Sequence, residues 1–317
     1  MTMTMPVGTP GELGASGAVQ ARSPLALAFE RIRRDRMALA CSIFIVLIAA
    51  AAIAAPLIAQ LVGHGPDTQY LKTGLTAQGL PKPPTGTFLI GTDDLGRDLL
   101  VRVIYGARIS LLVGVTSSVS AMTVGVAIGV LAGYFGGVTD AVLGRLIDIV
   151  LSLPFLLAAI ALETVLGPSL LLSILVIAFF SWAAVARIVR GQTLSIREKE
   201  FIEAARSIGT SDLRIIRVDV LPQLAAPVIV YTTLLIPASI AFEATLSYLG
   251  LGVVPPTPDW GNMLSEATGY YQVAWWFILF PGLALLSVTL AFNLLGDSIR
   301  DALDPRADGL LLALRRR

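Results

Sequence analysis

The chain has 317 residues (33.5 kDa), of which 55% are hydrophobic and only 14% charged, and its mean hydropathy is +0.79. Soluble domains carry roughly a quarter of their residues as charges, so that class is excluded. With 23 basic against 22 acidic residues the net charge is +1, which excludes disorder and a nucleic-acid binder and leaves a polytopic membrane protein.

The first 23 residues are rich in Gly, Thr, Ser and Pro and have no apolar centre; they read as a disordered cytoplasmic tail rather than a signal peptide. Over 24–36, Leu25, Ala28, Phe29 and Ile32 fall at helical spacing opposite several arginines. That pattern fits a basic helix lying in the membrane interface, and equally a basic flank that only fixes topology. A helix crosses about 30 Å of hydrocarbon with around 20 residues. Six apolar runs have that size, at about 37–62, 109–133, 149–166, 169–186, 224–250 and 273–295. The expected fold is therefore all-α, with six transmembrane helices over 37–296 and a C-terminal tail from 297 to 317. The third and fourth runs are parted only by Gly167-Pro168, a tight helical hairpin. In the second run, Gly125, Gly129, Gly133 and Gly137 recur every fourth residue, a ladder on which another backbone can pack closely.

Of the 23 basic residues, all but Lys72, Lys82, Arg97, Arg102 and Arg108 fall on one side of these runs. Basic loops stay in the cytoplasm, so both termini are expected inside, with 63–108 as an outer loop and 187–222 as a cytoplasmic loop. Cys41, the single cysteine, sits in an apolar run, so neither an intrachain disulfide nor a thiolate cluster is available. His64, the single histidine, lies between two glycines and reads as a loop residue; no metal site and no catalytic set is expected.

The 187–222 loop is too polar for the bilayer and too patterned for a tether. Ser195 and Glu198 match a capping box. A helix follows through Phe201, Ala205 and Ile208, which share a face, and Gly209 supplies the left-handed residue that ends it. Thr210 or Ser211 can cap a second helix running until Pro222 opens the fifth span. The sequence Glu203-Ala204-Ala205, three residues, Gly209, then Leu221-Pro222 resembles the EAA motif of permease subunits in binding-protein-dependent ABC importers. The resemblance implies that Glu203, Ala204, Ala205 and Gly209 seat this helix in a groove of a separate ATPase. The alternative is an Ala-rich amphipathic helix packing on its own chain. Asp219 departs from the pattern, standing where many members carry an apolar residue.

Three further stretches narrow the resemblance: Gly91-Thr92-Asp93-Asp94-Leu95-Gly96-Arg97-Asp98 with Arg102; Glu243-Ala244-Thr245-Leu246-Ser247-Tyr248 with Pro255-Pro256 and Trp260-Gly261; and Leu295-Gly296-Asp297 with Arg300-Asp301 and Asp304-Pro305-Arg306. With the EAA loop they cover about 25–306 and are similar to the second permease subunit of dipeptide, oligopeptide and nickel importers. That family implies a bacterial inner-membrane location, import of short peptides or alternatively nickel chelates or glutathione, and a set of partners: a second homologous permease, two ATPase domains and a soluble extracytoplasmic binding protein. ATP and Mg would bind the ATPase subunits. On this chain Lys72, Lys82 and Lys199 follow Leu71, Pro81 and Glu198, so none completes a Gly-Lys-Ser/Thr phosphate loop.

Residues Asp93, Asp94, Arg97, Asp98 and Arg102 offer a docking surface for the binding protein, or a self-contained salt-bridged cap over the helix ends. Glu243 lies about 10 Å inside the fifth span at 1.5 Å per residue. A carboxyl at that depth faces a bundle interior or a cavity, so it either lines the path or braces helices. Glu163, near the end of the third span, is expected to snorkel to the interface, and Pro237 makes a hinge or a static kink. A proton-coupled carrier would need a carboxylate relay in repeated halves, which is not seen, and a membrane hydrolase would need a Cys/His or Ser/His pair.

Overall fold

A computed structural model describes residues 30–303. Among them, five helices are long and apolar enough to cross a membrane, and a sixth crossing is a bent pair. Residues 30–34 are helical and end at Asp35, whose carboxylate caps α1 (Arg36–Ile53) by accepting from the Met37 N–H at 2.9 Å. Leu25, Ala28 and Phe29, together with the tail before them and residues 304–317, lie outside the described residues.

The expected single span over 37–62 is in fact two helices, α1 and α2 (Ala55–Val62), parted at Ala54. Pro56 explains the break: it has no N–H to offer the preceding turn and is favoured where a helix starts. The second span is longer than its apolar run. α3 (Leu99–Phe135) has 37 residues, about 55 Å at 1.5 Å per residue. It starts ten residues early because Asp98 caps it, accepting from the N–H groups of Leu100 and Val101, so the loop between α2 and α3 closes at 98 rather than 108.

The third crossing is also broken. α4 (Gly137–Ser152) and α5 (Phe155–Leu166) meet at an 80° bend, where Pro154 follows Leu153 in extended backbone, the conformation a residue before proline prefers. Gly167, with φ +86°, turns the chain into α6 (Leu170–Arg197), which Ser169 caps. α6 does not stop at 186. It keeps Thr193 and Ile196 buried, and the Arg197 guanidinium donates to the Tyr134 carbonyl at 3.3 Å, so Ser195 lies inside this helix and caps nothing.

α7 (Glu200–Ser207) follows, then α8 (Asp212–Ile215), a π-helical turn (Ile216–Val220) and α9 (Leu221–Tyr248) without interruption. α9 runs unbroken through Pro227 and Pro237. α10 (Trp260–Ala267) is a short helix between spans, and α11 (Trp275–Leu303) is the last crossing, extending past the expected boundary at 296.

The largest interface is α3 on α6, and glycines make it. A β-carbon on Gly125 would lie 2.6 Å from Val185, on Gly129 2.7 Å from the Ala186 carbonyl, and on Gly133 2.8 Å from the Arg190 carbonyl. Lipid gives helices no hydrophobic reason to associate, so close backbone packing does this work. Gly137 is not a fourth rung: nothing lies within 4 Å of it, and its φ of +52° instead permits the turn from α3 into α4. The Arg31 guanidinium donates to the Ala302 carbonyl at 3.2 Å, bringing both described chain ends together at the end of the bundle that carries α7.

Candidate functional site

Two ends of the bundle carry the singled-out residues, and they are built differently. At the α7 end the helix is lightly tied. Ile202 is its one fully buried side chain; Phe201, Glu203, Ala204, Arg206, Ser207 and Ile208 are exposed, and Ala205 is half-buried. The expected common face therefore splits: Ala205 lies beside Ile202 toward the bundle, whereas Phe201, Ala204 and Ile208, spaced three and four apart, stay out in solvent, Ile208 at 82% exposure. Lys199, not Ser195, occupies the cap position and makes no side-chain capping bond; its ammonium instead reaches Gln223 Oε1 on α9 at 2.9 Å.

Gly209 does what its spacing predicts. Its φ is +79°, its N–H donates to the Arg206 carbonyl at 2.9 Å, and the Thr210 N–H donates to the Ala205 carbonyl at 3.1 Å. This pair of bonds around a left-handed glycine satisfies the helix's last carbonyls. Arg206 sits 5.1 Å from the Tyr134 ring centroid and Tyr134 donates to Asp212 Oδ1 at 2.7 Å, so α7 and α8 lean on the end of α3. Leu221 and Pro222 open α9. Asp219 lies in the π-helical turn, where its carbonyl accepts from Gln223 Nε2 at 3.0 Å.

At the opposite end, 63–98 folds into a cap closed by buried ions. Asp93, Arg97, Asp98 and Arg102 are all at most 3% exposed. Asp93 pairs with Arg97 Nε and, at 3.2 Å, with Arg102 Nε. Arg97 also reaches Glu266 of α10 at 3.1 Å, and Arg102 Nη1 donates to the carbonyls of Pro66 and Pro256 at 3.1 and 3.3 Å. Asp98 meets His64 Nδ1 at 2.6 Å, with the imidazole stacked on Phe88. These four side chains face inward and tie the cap to α3, α10 and the loop before it; only Asp94 is partly exposed. Burial, and for Asp94 the neighbouring Asp93, pushes the carboxyls of Asp94 and Glu266 above their ordinary range. His64 and Glu266 are members that sequence reasoning missed. The imidazole flanked by glycines gave no pattern, and Glu266 lies 169 residues from Arg97.

Glu243 is fully buried within the chain. Its Oε1 accepts from Ser247 Oγ at 2.8 Å and its Oε2 from Ser110 Oγ of α3 at 3.4 Å, so in this arrangement it braces α9 against α3. Pro237 is buried and borders a groove between α9 and α11. Glu163 does not snorkel. It is fully buried, accepts from Ser173 Oγ of α6 at 2.9 Å and staples the α5–α6 hairpin; the short α5 leaves it facing the longer helix rather than the interface.

Residues 125–309 match the family described as the binding-protein-dependent transport system inner membrane component, and residues 23–83 match the N-terminal transmembrane domain of oligopeptide transport permease C. The di/tripeptide transport system permease protein DppC of Pseudomonas aeruginosa is 41% identical over 90% of this chain and 93% of its own length. The glutathione transport system permease protein GsiD of Escherichia coli is likewise 41% identical, over 92% and 93%. An inward-facing structure of the MetNI methionine ABC transporter shares the fold, with a TM-score of 0.55 at 19% identity, covering 65% of this chain and 98% of that one. An all-α bundle with five long apolar helices and a bent sixth crossing, matched over these lengths, is a multi-pass inner-membrane component, and the chain belongs to the family of binding-protein-dependent transport permeases.

Proposed function

We propose that this chain forms one half of the translocation path of an ATP-driven importer of short peptides, and that α7 is the element through which a separate ATPase drives it. The observation that carries this reading is the construction of α7: eight residues held by one buried side chain, ended by a left-handed glycine, and presenting Phe201, Ala204 and Ile208 to solvent. An apolar face left open beside small alanines suits a partner groove, since a small residue lets another backbone come close. Glu203 stands exposed next to that face, available to a basic group of the partner. The remaining complex comprises a second homologous permease, two ATPase domains that bind ATP and Mg, and a soluble receptor. The dipeptide-permease relatives favour a di- or tripeptide cargo, and the glutathione permease, whose named substrate is itself a small peptide derivative, marks the second reading.

With α7 in the cytosol, both chain ends are inside and the 63–98 cap is outside. The test combines two variants in the assembled transporter. Gly209→Trp is expected to abolish uptake and its coupling to ATP hydrolysis while the protein still inserts, because a side chain at φ +79° unwinds the helix end. Ser207→Cys is expected to resist a membrane-impermeant thiol reagent added to intact cells. Normal coupled uptake in the first, or labelling from outside in the second, overturns the reading.

A further inference from the structure

Beyond this function, the buried carboxyls of α9 and α10 form a site of their own. Glu243 and Asp259 are both fully buried, and their carboxyl groups lie within hydrogen-bonding reach of each other. Three of their four oxygens have identified donors: Ser247 Oγ at 2.8 Å and Ser110 Oγ at 3.4 Å for Glu243, and the Asn262 N–H at 3.0 Å for Asp259 Oδ2. Asp259 Oδ1 has none. The groups that face the pair are neutral donors from each packed element: Ser110 on α3, Ser247 on α9, and the N–H groups of Gly261 and Asn262 on α10. Among the described residues, no ammonium or guanidinium faces the pair.

Two ionised carboxylates in contact, away from water and without a cation, repel strongly, and one of them takes up a proton instead. A proton held between the two groups also adds a donor to a site in which Asp259 Oδ1 has none. We propose that Glu243 and Asp259 share a single proton in the folded protein, and that this acid–carboxylate clip fastens the 249–259 loop and α10 to α9 and α3. The backbone geometry puts the clip where it is needed. A β-carbon on Gly261 would lie 2.8 Å from Ser247 Cβ, and one on Gly252 2.9 Å from the Ser247 nitrogen, so loop and helix already touch backbone to backbone around the pair. Enclosure among hydroxyls and amides suits a static clip rather than a proton relay, which needs a chain of titratable groups.

The sign of the pH dependence follows. The folded pair holds a proton that the two unfolded carboxyls release, and burial pushes Asp259 up. Stability is therefore present at low pH and lost as pH rises through the folded value. Two measurements on the purified full-length protein test this. In infrared spectra at neutral pH, the difference between wild type and Glu243→Gln should contain a protonated-carboxyl C=O band. In thermal unfolding, wild type should lose stability as pH is raised, whereas Glu243→Gln, which brings its own donor, should show a flatter profile. Should Glu243→Gln fail to insert, Asp259→Asn reads the same quantities, because asparagine still caps α10. A difference spectrum with no acid band, together with equal pH slopes for wild type and variant, means both carboxylates are ionised and overturns the proposal.

Discussion

The packing of α3 on α6 makes opposite predictions for one substitution at a glycine inside the interface and at a glycine outside it. At Gly129 a β-carbon would stand 2.7 Å from the Ala186 carbonyl and 2.8 Å from Val189 Cβ, short of the 3.4 Å at which ordinary contact begins. Neither neighbour can yield easily, since one is backbone and the other a β-branched stem. Gly129→Ala therefore pushes the two long helices about 0.7 Å further apart at that rung, and a methyl inserted into a packed interface costs about 1–3 kcal/mol. Gly191 lies on α6 itself, is exposed, has nothing within 4 Å of its would-be β-carbon and needs no left-handed backbone. There alanine restores helix propensity and gains about 0.5–1 kcal/mol. Denaturant titration of each variant in mixed micelles, followed by circular dichroism, measures both signs. If Gly129→Ala unfolds at or above the wild-type midpoint, glycine-mediated backbone contact is not what holds α3 to α6, and the account of the bundle's main interface fails.

Arg102→Ala should cost about 3–5 kcal/mol in the same titration, because it strips a buried cation from Asp93 and two backbone carbonyls at once. Arg102→Lys should recover little of that, since a point-charge ammonium cannot reach Asp93, Pro66 and Pro256 together. Ser173→Ala should destabilise the α5–α6 hairpin, most simply read as faster proteolysis at Gly167, because it removes the donor to Glu163 Oε1 while Oε2 is already unsatisfied. Gly209→Ala, milder than the tryptophan variant, should lower the ATP-coupled uptake rate with little change in global unfolding, since the strain of about 1 kcal/mol falls on a helix tied by a single buried residue.

What could be read from the chain alone divides along a physical line. Apolar run length and the placement of Lys and Arg depend on the bilayer, a solvent common to every span, so the number of crossings and the Gly167 hairpin were legible. Gly209 was legible because its conformation is local. The helix ends were not. α3 starts at Leu99 because Asp98 caps it and Arg102 is neutralised by Asp93; α6 runs to Arg197 because Tyr134 of α3 accepts from it. Each boundary is set by a partner remote in sequence. The same holds for Glu163, whose run of neighbours says "interface" while Ser173, ten residues on, turns it inward. Cap members His64 and Glu266 carry no spacing signal, because an ion cluster assembled from four segments has no period.

The contrast between the two ends of the bundle bears on how it works. The cap is fastened by the buried Asp93, Arg97, Asp98 and Arg102 together with the half-buried Glu266 and His64, and a buried ion network has few alternative arrangements with all partners satisfied. Below it Glu243 joins α9 to α3 through Ser110. At the far end α7 depends on Ile202 and a few exposed polar contacts. A force applied at α7 therefore meets little local resistance. Under the proposed coupling role it would pass through α8 and the π-helical turn into α9, because Asp212 to Tyr248 is one continuous helical stretch. Were the ends exchanged, with a stiff α7 and a loose cap, the same push would disorder the loops before it moved a span. The uneven distribution of tertiary ties makes α9 the element that such a push would displace against the cap, with Pro227 and Pro237, the latter on the groove between α9 and α11, as positions inside it that lack a backbone hydrogen bond.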